Sequence, residues 1–350
     1  MTGDFVTYSL FAIWSAMAVY ALAFIAFTLD LASRAAPDKL GATTDAARDA
    51  RGAGIGAVAA RAAAGGASAA TTGADGADGS GRGSRGGTAV LERTVNAADG
   101  AMRSTKWVRI AMALTVIGWV LHAGGTVLRG LAAGRVPWAN MFEFSLTATA
   151  IVVGVFLAVQ VWQDLRFLGA YVVGFALLLL GLATVNFYVD VAPLPPALQS
   201  YWLVIHVFVA SLGTGFFALG AGLSIAQLLQ ASGQTKRMRF LTTLPDAVRL
   251  ENMAYRLIVV GFVFWTFTLI AGAIWAEHAW GRYWGWDTKE VWTFIIWVIF
   301  AGYIHARATR GWRGSRSAWL AIIGFAAVIF NFTIVNLFFK GLHAYSGLMN

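Results

Sequence analysis

The sequence predicts an all-α polytopic membrane protein with about eight transmembrane helices and one external, tryptophan-rich segment. Hydrophobic residues make up 58% of the chain and charged residues only 12%, with a mean hydropathy of +0.66, whereas about a quarter of the residues in a soluble domain are charged. Several apolar stretches reach the ~20 residues that a helix needs to cross ~30 Å of hydrocarbon. All six prolines fall between these stretches, as expected of continuous helices.

The predicted helices follow one another through most of the chain. The first, within residues 1–30, has Asp4 before its apolar run and Arg34 after it, which is the reverse of the basic start of a signal peptide. We therefore expect it to stay in the mature protein. The eight predicted spans are residues 5–29, 107–130, 141–163, 167–189, 201–229, 254–276, 290–306 and 318–339.

Residues 31–106 separate the first helix from the other seven and differ from them in composition. Ala, Gly, Asp, Arg, Ser and Thr dominate this stretch, which includes GRGSRGG at 81–87. So few large apolar side chains cannot bury enough surface to offset the entropy lost in ordering the backbone. The sequence predicts a flexible cytoplasmic linker here, followed by a core over residues 107–350. A role for the linker in docking a partner stays open as an alternative.

The basic residues predict how the chain is oriented in its membrane. The loops on one side of the predicted spans, with the adjoining helix ends, hold 21 of the 26 Lys and Arg. Because short basic loops stay on the cytoplasmic side, the clusters at 236–239 and 307–316 place these loops inside. Both termini and the tryptophan-rich segment are then external, in the plasma (inner) membrane. The net charge of +9 reflects this topology and the anionic lipid bilayer, so we expect no nucleic-acid partner.

The tryptophan-rich segment spans residues 275–292 and contains WGRYWGWDTKE at 280–290. Six of the fifteen Trp of the chain lie between Trp275 and Trp297. Tryptophan is enriched at membrane interfaces, so an anchoring belt is one interpretation. The density of the rings favours a second one, an aromatic shelf that holds a large planar metal cofactor at the membrane surface.

The histidines supply candidate metal ligands. An ionisable side chain within a span is costly and by default suggests function. His206 is predicted about 8 Å below the outer surface, at 1.5 Å per residue, and His343 follows the last span at the same level. Two histidines at one depth beside a tryptophan shelf favour axial ligation of haem iron. His305 is 18 residues beyond Asp287, which places it about 27 Å deeper, near the inner face.

The chain has no cysteine. It therefore cannot carry a disulfide, a thiolate ligand or a redox dithiol. Any thiol chemistry at the predicted site must come from a substrate or from a partner protein.

The motif WGRYWGWDTKEVW resembles the WWD signature of the haem-handling proteins of cytochrome c maturation. Its continuation through YIHAR, GWRG, NFTIVN and GLHAYSG, with VPWANMFEF upstream, resembles the CcsA/ResC branch of System II, called CcsB in actinobacteria. The resemblance covers about residues 107–350 and is most specific over 275–307. The Lys-Glu pair after the aspartate separates the chain from the related CcmC and CcmF proteins.

The resemblance assigns roles to individual residues. The two external haem-ligand histidines of the family fall on His206 and His343. The family histidine in the helix after the motif falls on His305; in fused versions it pairs across a deeper haem with a histidine of a ResB-type half, which this chain lacks. Such a partner would be a separate protein. The residues expected to cradle the ring or to order its loop are Trp280, Tyr283, Trp284, Trp286 and Asp287.

The resemblance also implies a function in cytochrome c biogenesis. The chain would transport haem b across the membrane and present it, outside, for thioether attachment to the Cys-x-x-Cys-His of apocytochrome c. It would act within a synthase complex that includes a separate ResB-type membrane partner, and a thioredoxin-like thiol reductant would serve the substrate. No side chain stands out as an acid or base for the thioether step, so catalysis by this chain itself is left open.

Two other functions stay open at the level of sequence. A haem exporter or chaperone would use the same histidines but form no thioether product by itself. A di-haem electron-transfer subunit would favour pairs of histidines within the helices, and it has no need of an exposed aromatic shelf. His122, in the outer half of the second span, receives no assignment, and His278 is expected at the surface of the loop before the motif.

Overall fold

The computed structural model describes residues 2–35, 106–233, 239–309, 311–339 and 341–343. These residues contain no β-strand, and eight of their helices are long and apolar enough to cross a membrane. The predicted all-α architecture with eight spans is therefore confirmed. The helices are α1 Thr2–Ala35, α2 Lys106–Ala133, α3 Met141–Val159, α4 Gly169–Asn186, α5 Tyr201–Ala231, α6 Ala247–Trp280, α7 Thr288–Ala308 and α8 Ser315–Phe338.

The linker predicted over 31–106 lies almost entirely outside the described residues. At its two edges, α1 continues to Ala35 and α2 begins at Lys106. The hydropathy pattern thus locates both flanking helices to within a few residues.

Helix α6 is longer at both ends than the span predicted over 254–276. Asp246 caps its start by accepting a hydrogen bond from the Arg249 backbone N at 2.9 Å. Gly281, with a φ of +69°, ends it in the left-handed conformation that glycine adopts at low cost. Hydropathy does not register these caps. His278 therefore lies in the last turn of α6 and not in the loop where the sequence predicted it.

Close packing joins α5 to α6 in the middle of the bundle. A Cβ atom at Gly220 would lie 2.4 Å from Ile258 Cγ1, and one at Gly261 would lie 3.0 Å from Phe216 Cβ. Small residues at such positions let the two backbones approach within the membrane, where packing drives helix association. The antiparallel pair brings the first turns of α5 against the last turns of α6.

The helices alternate in direction, so the carboxyl ends of α2, α4, α6 and α8 meet the amino ends of α3, α5 and α7. We call this the site end. A buried ion-pair network joins three of its segments: Glu143 lies 3.2 Å from Arg129 and 2.7 Å from Arg135. Asn140 caps α3 by accepting from the Glu143 backbone N at 2.9 Å. The VPWANMFEF segment is therefore a structural anchor for the loop between α2 and α3.

The opposite end of the bundle has a polar network of its own. Arg307 of α7 forms an ion pair of 2.9 Å with Glu251 of α6, and its guanidinium lies over the ring of Tyr255. Glu251 also accepts from the Gly314 backbone N and from Ser317 Oγ, both at 3.2 Å. Because these groups are buried or partly buried, the network holds α6, α7 and α8 in a fixed register at this end.

Candidate functional site

Two neighbouring cavities open at the site end of the bundle. The larger has about 1320 Å³ of empty space, counted with its open mouth, and reaches between α3, α4, α5, α6, α7 and α8. The smaller has about 470 Å³ and lies between α6, α7 and the tryptophan-rich loop. The residues that line both cavities, and so form the wall between them, are His206, Thr268, Trp275, Lys289, Thr293 and His343.

His206 and His343, the two histidines predicted at the external level, therefore meet at this wall. The Nδ1 atom of His206 is 3.0 Å from the Thr268 carbonyl oxygen, so Nδ1 carries the proton and donates it. The Nδ1 atom of His343 is 2.7 Å from Asp287 Oδ2. Neither Nε2 atom has a hydrogen-bond partner among the described residues, and in a neutral imidazole protonated at Nδ1 this is the nitrogen that has a lone pair to offer. Histidines that bind metals are oriented in this way, through the nitrogen that does not bind.

Asp287 connects His343 to the tryptophan-rich loop. Its carboxylate caps the amino end of α7 and accepts a hydrogen bond from the Leu342 backbone N at 3.1 Å, besides the one from His343. The His343 bond lowers the pKa of Asp287 to about 2. Burial lowers the pKa of His343 more strongly than the bond to Asp287 raises it. At neutral pH the pair is thus a carboxylate and a neutral imidazole, the form that can bind a metal.

Two tryptophans set the positions of the imidazole rings. The Trp275 ring is buried and stacks on His206 with centroids 5.9 Å apart and planes 18° from parallel. It also meets the edge of His343 at 5.4 Å, and Trp280 packs against His343 from another side at 4.8 Å. The Trp275 indole N–H donates to the Ala197 carbonyl oxygen at 3.0 Å. The aromatic rings thereby restrict rotation of both imidazoles.

Glu290 orders the tryptophan-rich loop from the first turn of α7. Its carboxylate accepts hydrogen bonds from the backbone N of Gly285 at 2.8 Å and of Asp287 at 3.1 Å, and it pairs with Arg282 at 3.0 Å. Asp287 and Glu290 form a capping box, in which each side chain satisfies a free backbone N–H. Trp286, the next residue after Gly285, has a φ of +60°, which is rare for a bulky residue.

The predicted cradle residues occupy different positions around the cavities. Tyr283 and Trp284 line the smaller cavity, and the Trp284 ring meets those of Trp286 and Phe294 edge-on. Trp280 packs behind His343. Trp286 lines neither cavity and is 73% exposed. The structure thus brings Trp280, Tyr283 and Trp284 to the histidine pair and directs Trp286 outwards.

Two glycines make room for the histidine pair, and neither was predicted as a site residue from the sequence. A Cβ atom at Gly272 would lie 2.8 Å from His206 Cε1 and Nδ1. One at Gly341 would lie 2.3 Å from Asp287 Oδ1. Other site residues that were missed are Thr268, Trp275, Glu290 and Lys289. The sequence indicates a role for these residues only through their closeness to predicted site residues. Gly272 and Trp275 precede the tryptophan-rich motif, and Gly341 lies two residues before His343.

The remaining histidines lie apart from this pair. His305 is exposed in the last turn of α7, at the end of the bundle opposite the site. His122 is fully buried and lies 3.4 Å through Nδ1 from the hydroxyl of Tyr20 in α1. His278 is exposed and bonds the Ile274 carbonyl oxygen of its own helix. None of the three lines either cavity.

The donor set limits what the site can bind. No group of three or more His, Asp or Glu side chains suited to a metal ion occurs among the described residues. Two imidazole nitrogens alone do not complete the coordination shell of a transition metal. They suit a metal that brings its own planar ring of donors, such as a metalloporphyrin with two axial positions. The aromatic and apolar walls fit the faces of such a ring.

Comparison with known proteins identifies the family. Residues 138–343 match the family model described as cytochrome C assembly protein. The chain belongs to this family. It is 35% identical over 252 residues to cytochrome c biogenesis protein CcsA of Trieres chinensis, covering 63% of this chain and 81% of the relative. The CcsA protein of Porphyra purpurea is 31% identical over 284 residues, covering 70% of this chain and 86% of the relative.

The CcsA relatives support the branch to which the motifs pointed, and they place this chain in cytochrome c biogenesis. The family match runs from Trp138, which lines the larger cavity, to His343. It includes both cavities and the tryptophan-rich segment and leaves out α1 and α2. The part of the chain that defines the family is therefore the part that builds the site.

Proposed function

We propose that this chain binds haem b at the site end of the bundle, with His206 and His343 as the axial ligands of the iron, and presents it for attachment to apocytochrome c. One observation carries the proposal. Each imidazole is held through Nδ1 by an acceptor of the protein, both residues line the wall between two cavities, and neither Nε2 has a partner among the described residues.

The surrounding residues would position the ring and exclude water. Trp275 and Trp280 fix the imidazole planes, while Tyr283 and Trp284 provide aromatic surface on the side of the smaller cavity. Asp287 increases the basicity of His343 by accepting its Nδ1 proton. The contacts of Glu290 with Arg282 and with the Gly285 backbone N hold this loop in its conformation. In this arrangement the protein supplies orientation, and the cofactor supplies reactivity.

When bound, haem supplies vinyl groups to which the two thiols of a Cys-x-x-Cys-His segment add, each S–H adding across a C=C bond. The chain has no cysteine, so both thiols come from the apocytochrome, and a thioredoxin-like reductant would keep them reduced. No acid or base in the cavities is needed in this proposal. The chain contributes by holding the reacting groups close together, which lowers the entropic part of the barrier.

The same proposal assigns an orientation in the plasma (inner) membrane. The basic loops would be cytoplasmic and the tryptophan-rich loop external. His305, exposed at the opposite end, would receive haem on its way across the membrane. A separate ResB-type membrane protein would complete the coordination there, because no second histidine of the described residues lies beside His305.

The test is covalent haem attachment to a reporter apocytochrome, co-expressed with this chain and a ResB-type partner. His206→Ala and His343→Ala should each abolish haem-stained cytochrome c, and added imidazole should partly restore it by occupying the vacated position. His278→Ala is the matched control, since His278 is exposed and its contacts are with its own helix and the adjacent Glu277.

Full attachment in either ligand variant would contradict the proposal. Haem bound to the purified complex, without any covalent product in the wild type, would instead identify the chain as a haem exporter. His305→Ala should lower the amount of haem at the external site without changing its absorption spectrum.

A further inference from the structure

Lys289 stands out among the groups that line the cavities, because it is the one cation in their shared wall among the described residues. It is the second residue of α7 and is partly buried. Its ammonium group donates a hydrogen bond to Asn336 Oδ1 in the last turn of α8. The wall thus contains two imidazoles and one ammonium group.

The charge of Lys289 is not paired with a carboxylate within the described part of the chain. None of the ion pairs found there includes it. Asp287 attracts the ammonium electrostatically and accepts from the Lys289 backbone N, but it forms no ion pair with the ammonium, and its carboxylate bonds His343 and Leu342. Glu290 bonds Arg282 and the loop backbone. Asn336 is a neutral acceptor.

This position is unfavourable for a cation on grounds of stability alone. A partly buried ammonium in an apolar cavity loses hydration that a single amide oxygen does not replace. The amino end of a helix also carries a positive potential, which repels a positive side chain in the first turn. An ammonium group at such a position within a membrane span indicates that it binds an anionic group of a ligand.

We propose that Lys289 binds a carboxylate of the ligand held between His206 and His343, namely a propionate of haem, and so fixes the rotation of the ring about its iron axis. The inference rests on the proposed function. The two histidines restrain the iron but leave the ring free to rotate, so a contact at the rim is needed to direct the vinyl groups towards the substrate thiols. A charge-assisted hydrogen bond provides that contact.

The experiment compares two porphyrins on the full-length chain purified in detergent: haem b, and its dimethyl ester, in which both carboxylates are neutral. The measurement is the ratio of their dissociation constants, from titrations followed in the Soret band. The wild type should prefer haem by about tenfold or more, the value typical of one hydrogen bond to a charged group. Lys289→Gln should bring the ratio close to one, and Lys289→Arg should keep the preference.

A structural role for Lys289 makes a different prediction. If the side chain merely ties α7 to α8, Asn336→Ala should reproduce the effect of Lys289→Gln and weaken both porphyrins equally. Under the proposal, Asn336→Ala keeps the preference for haem over the ester. The axial-ligand spectrum should be the same in the wild type and in all three variants, since the histidines are untouched.

Each outcome is decisive. Equal preference in the wild type and Lys289→Gln would overturn the inference while leaving the histidine ligands in place. If Lys289→Gln does not fold, the wild type alone tests the inference: equal dissociation constants for haem and its dimethyl ester would overturn it. If His206→Ala and His343→Ala bind haem as the wild type does, the proposed function fails instead.

Discussion

The room that Gly272 leaves for His206 makes the geometry of the site testable by adding one methyl group. In Gly272→Ala the new Cβ would lie 2.8 Å from two atoms of the imidazole, where ordinary contact begins at 3.4 Å. The ring must therefore move by about 0.6 Å, the difference between the two distances. A shift of that size along the bond to the Thr268 carbonyl oxygen would lengthen it from 3.0 Å to a distance at which the hydrogen bond is lost.

The expected magnitude follows from three contributions. Overpacking costs about 1–3 kcal/mol, and the lost hydrogen bond about 0.5–1.5 kcal/mol. Alanine in place of a helical glycine returns about 0.5–1 kcal/mol. We expect Gly272→Ala to lower the free energy of unfolding by about 0.5–4 kcal/mol, the sum of these contributions. The loss of the group that orients a ligand should weaken haem binding about 10–100-fold.

Gly124→Ala is the matched control, because Gly124 lies within α2 and, apart from its chain neighbours and the adjacent backbone of its own helix, no atom of the described residues lies within 4 Å of its added Cβ. It should gain the helix-propensity contribution alone and bind haem as the wild type does. The assays are haem titration of the purified chain, denaturant unfolding and covalent haem on the reporter cytochrome. If Gly272→Ala matches Gly124→Ala in all three, the imidazole of His206 does not lie against Gly272 and the geometry of the wall is wrong.

Three further variants test other parts of the structure. Asp287→Ala removes both the α7 cap and the acceptor of the His343 proton, so it should weaken haem binding about 10–100-fold. Asp287→Asn should retain the cap and therefore most of the stability. Equal unfolding curves for the two variants would contradict the capping role. Arg307→Leu leaves the buried carboxylate of Glu251 without its ion-pair partner and should destabilise the bundle by about 3–5 kcal/mol. The measurement is thermal unfolding, and an unchanged midpoint would show that the network does not stabilise the bundle. Trp284→Ala should reduce haem affinity more than Trp286→Ala, since the Trp284 ring lines the smaller cavity and the Trp286 ring is exposed. The reverse order in a haem titration would indicate that haem contacts Trp286 instead.

The number and approximate bounds of the candidate membrane spans could be predicted from the sequence, because each span is apolar over its own consecutive residues. A transmembrane helix satisfies its backbone internally and exposes much of its surface to lipid, so its signal is local. The eight predicted spans match α1 to α8 with boundaries that differ by a few residues. The ends of α6 were misplaced because Asp246 and Gly281 stop the helix through single hydrogen bonds and a single left-handed residue, which contribute almost nothing to hydropathy.

That His206 and His343 lie at one end of the bundle and His305 at the other could also be predicted, since position along a helical span is a count of residues multiplied by a constant rise. What depth does not determine is direction around the helix axis. That depends on how α5, α6, α7 and α8 pack, and hence on glycines such as Gly220. Tertiary structure alone therefore decided that both histidines line the shared wall, and that neither Nε2 has a partner among the described residues.

The partners of the site residues lie far away in the sequence. His206 bonds a carbonyl 62 residues away and His343 a carboxylate 56 residues away. Lys289 lines the cavities and forms no ion pair with Asp287 or Glu290, the two acids near it in the sequence, among the described residues. Composition and motif indicated by themselves that this is a helical membrane protein with histidines and tryptophans at one end of the bundle. Only the packing of the bundle decided which atoms of those residues are occupied and which are free, because hydrogen bonds form between groups that are close in space.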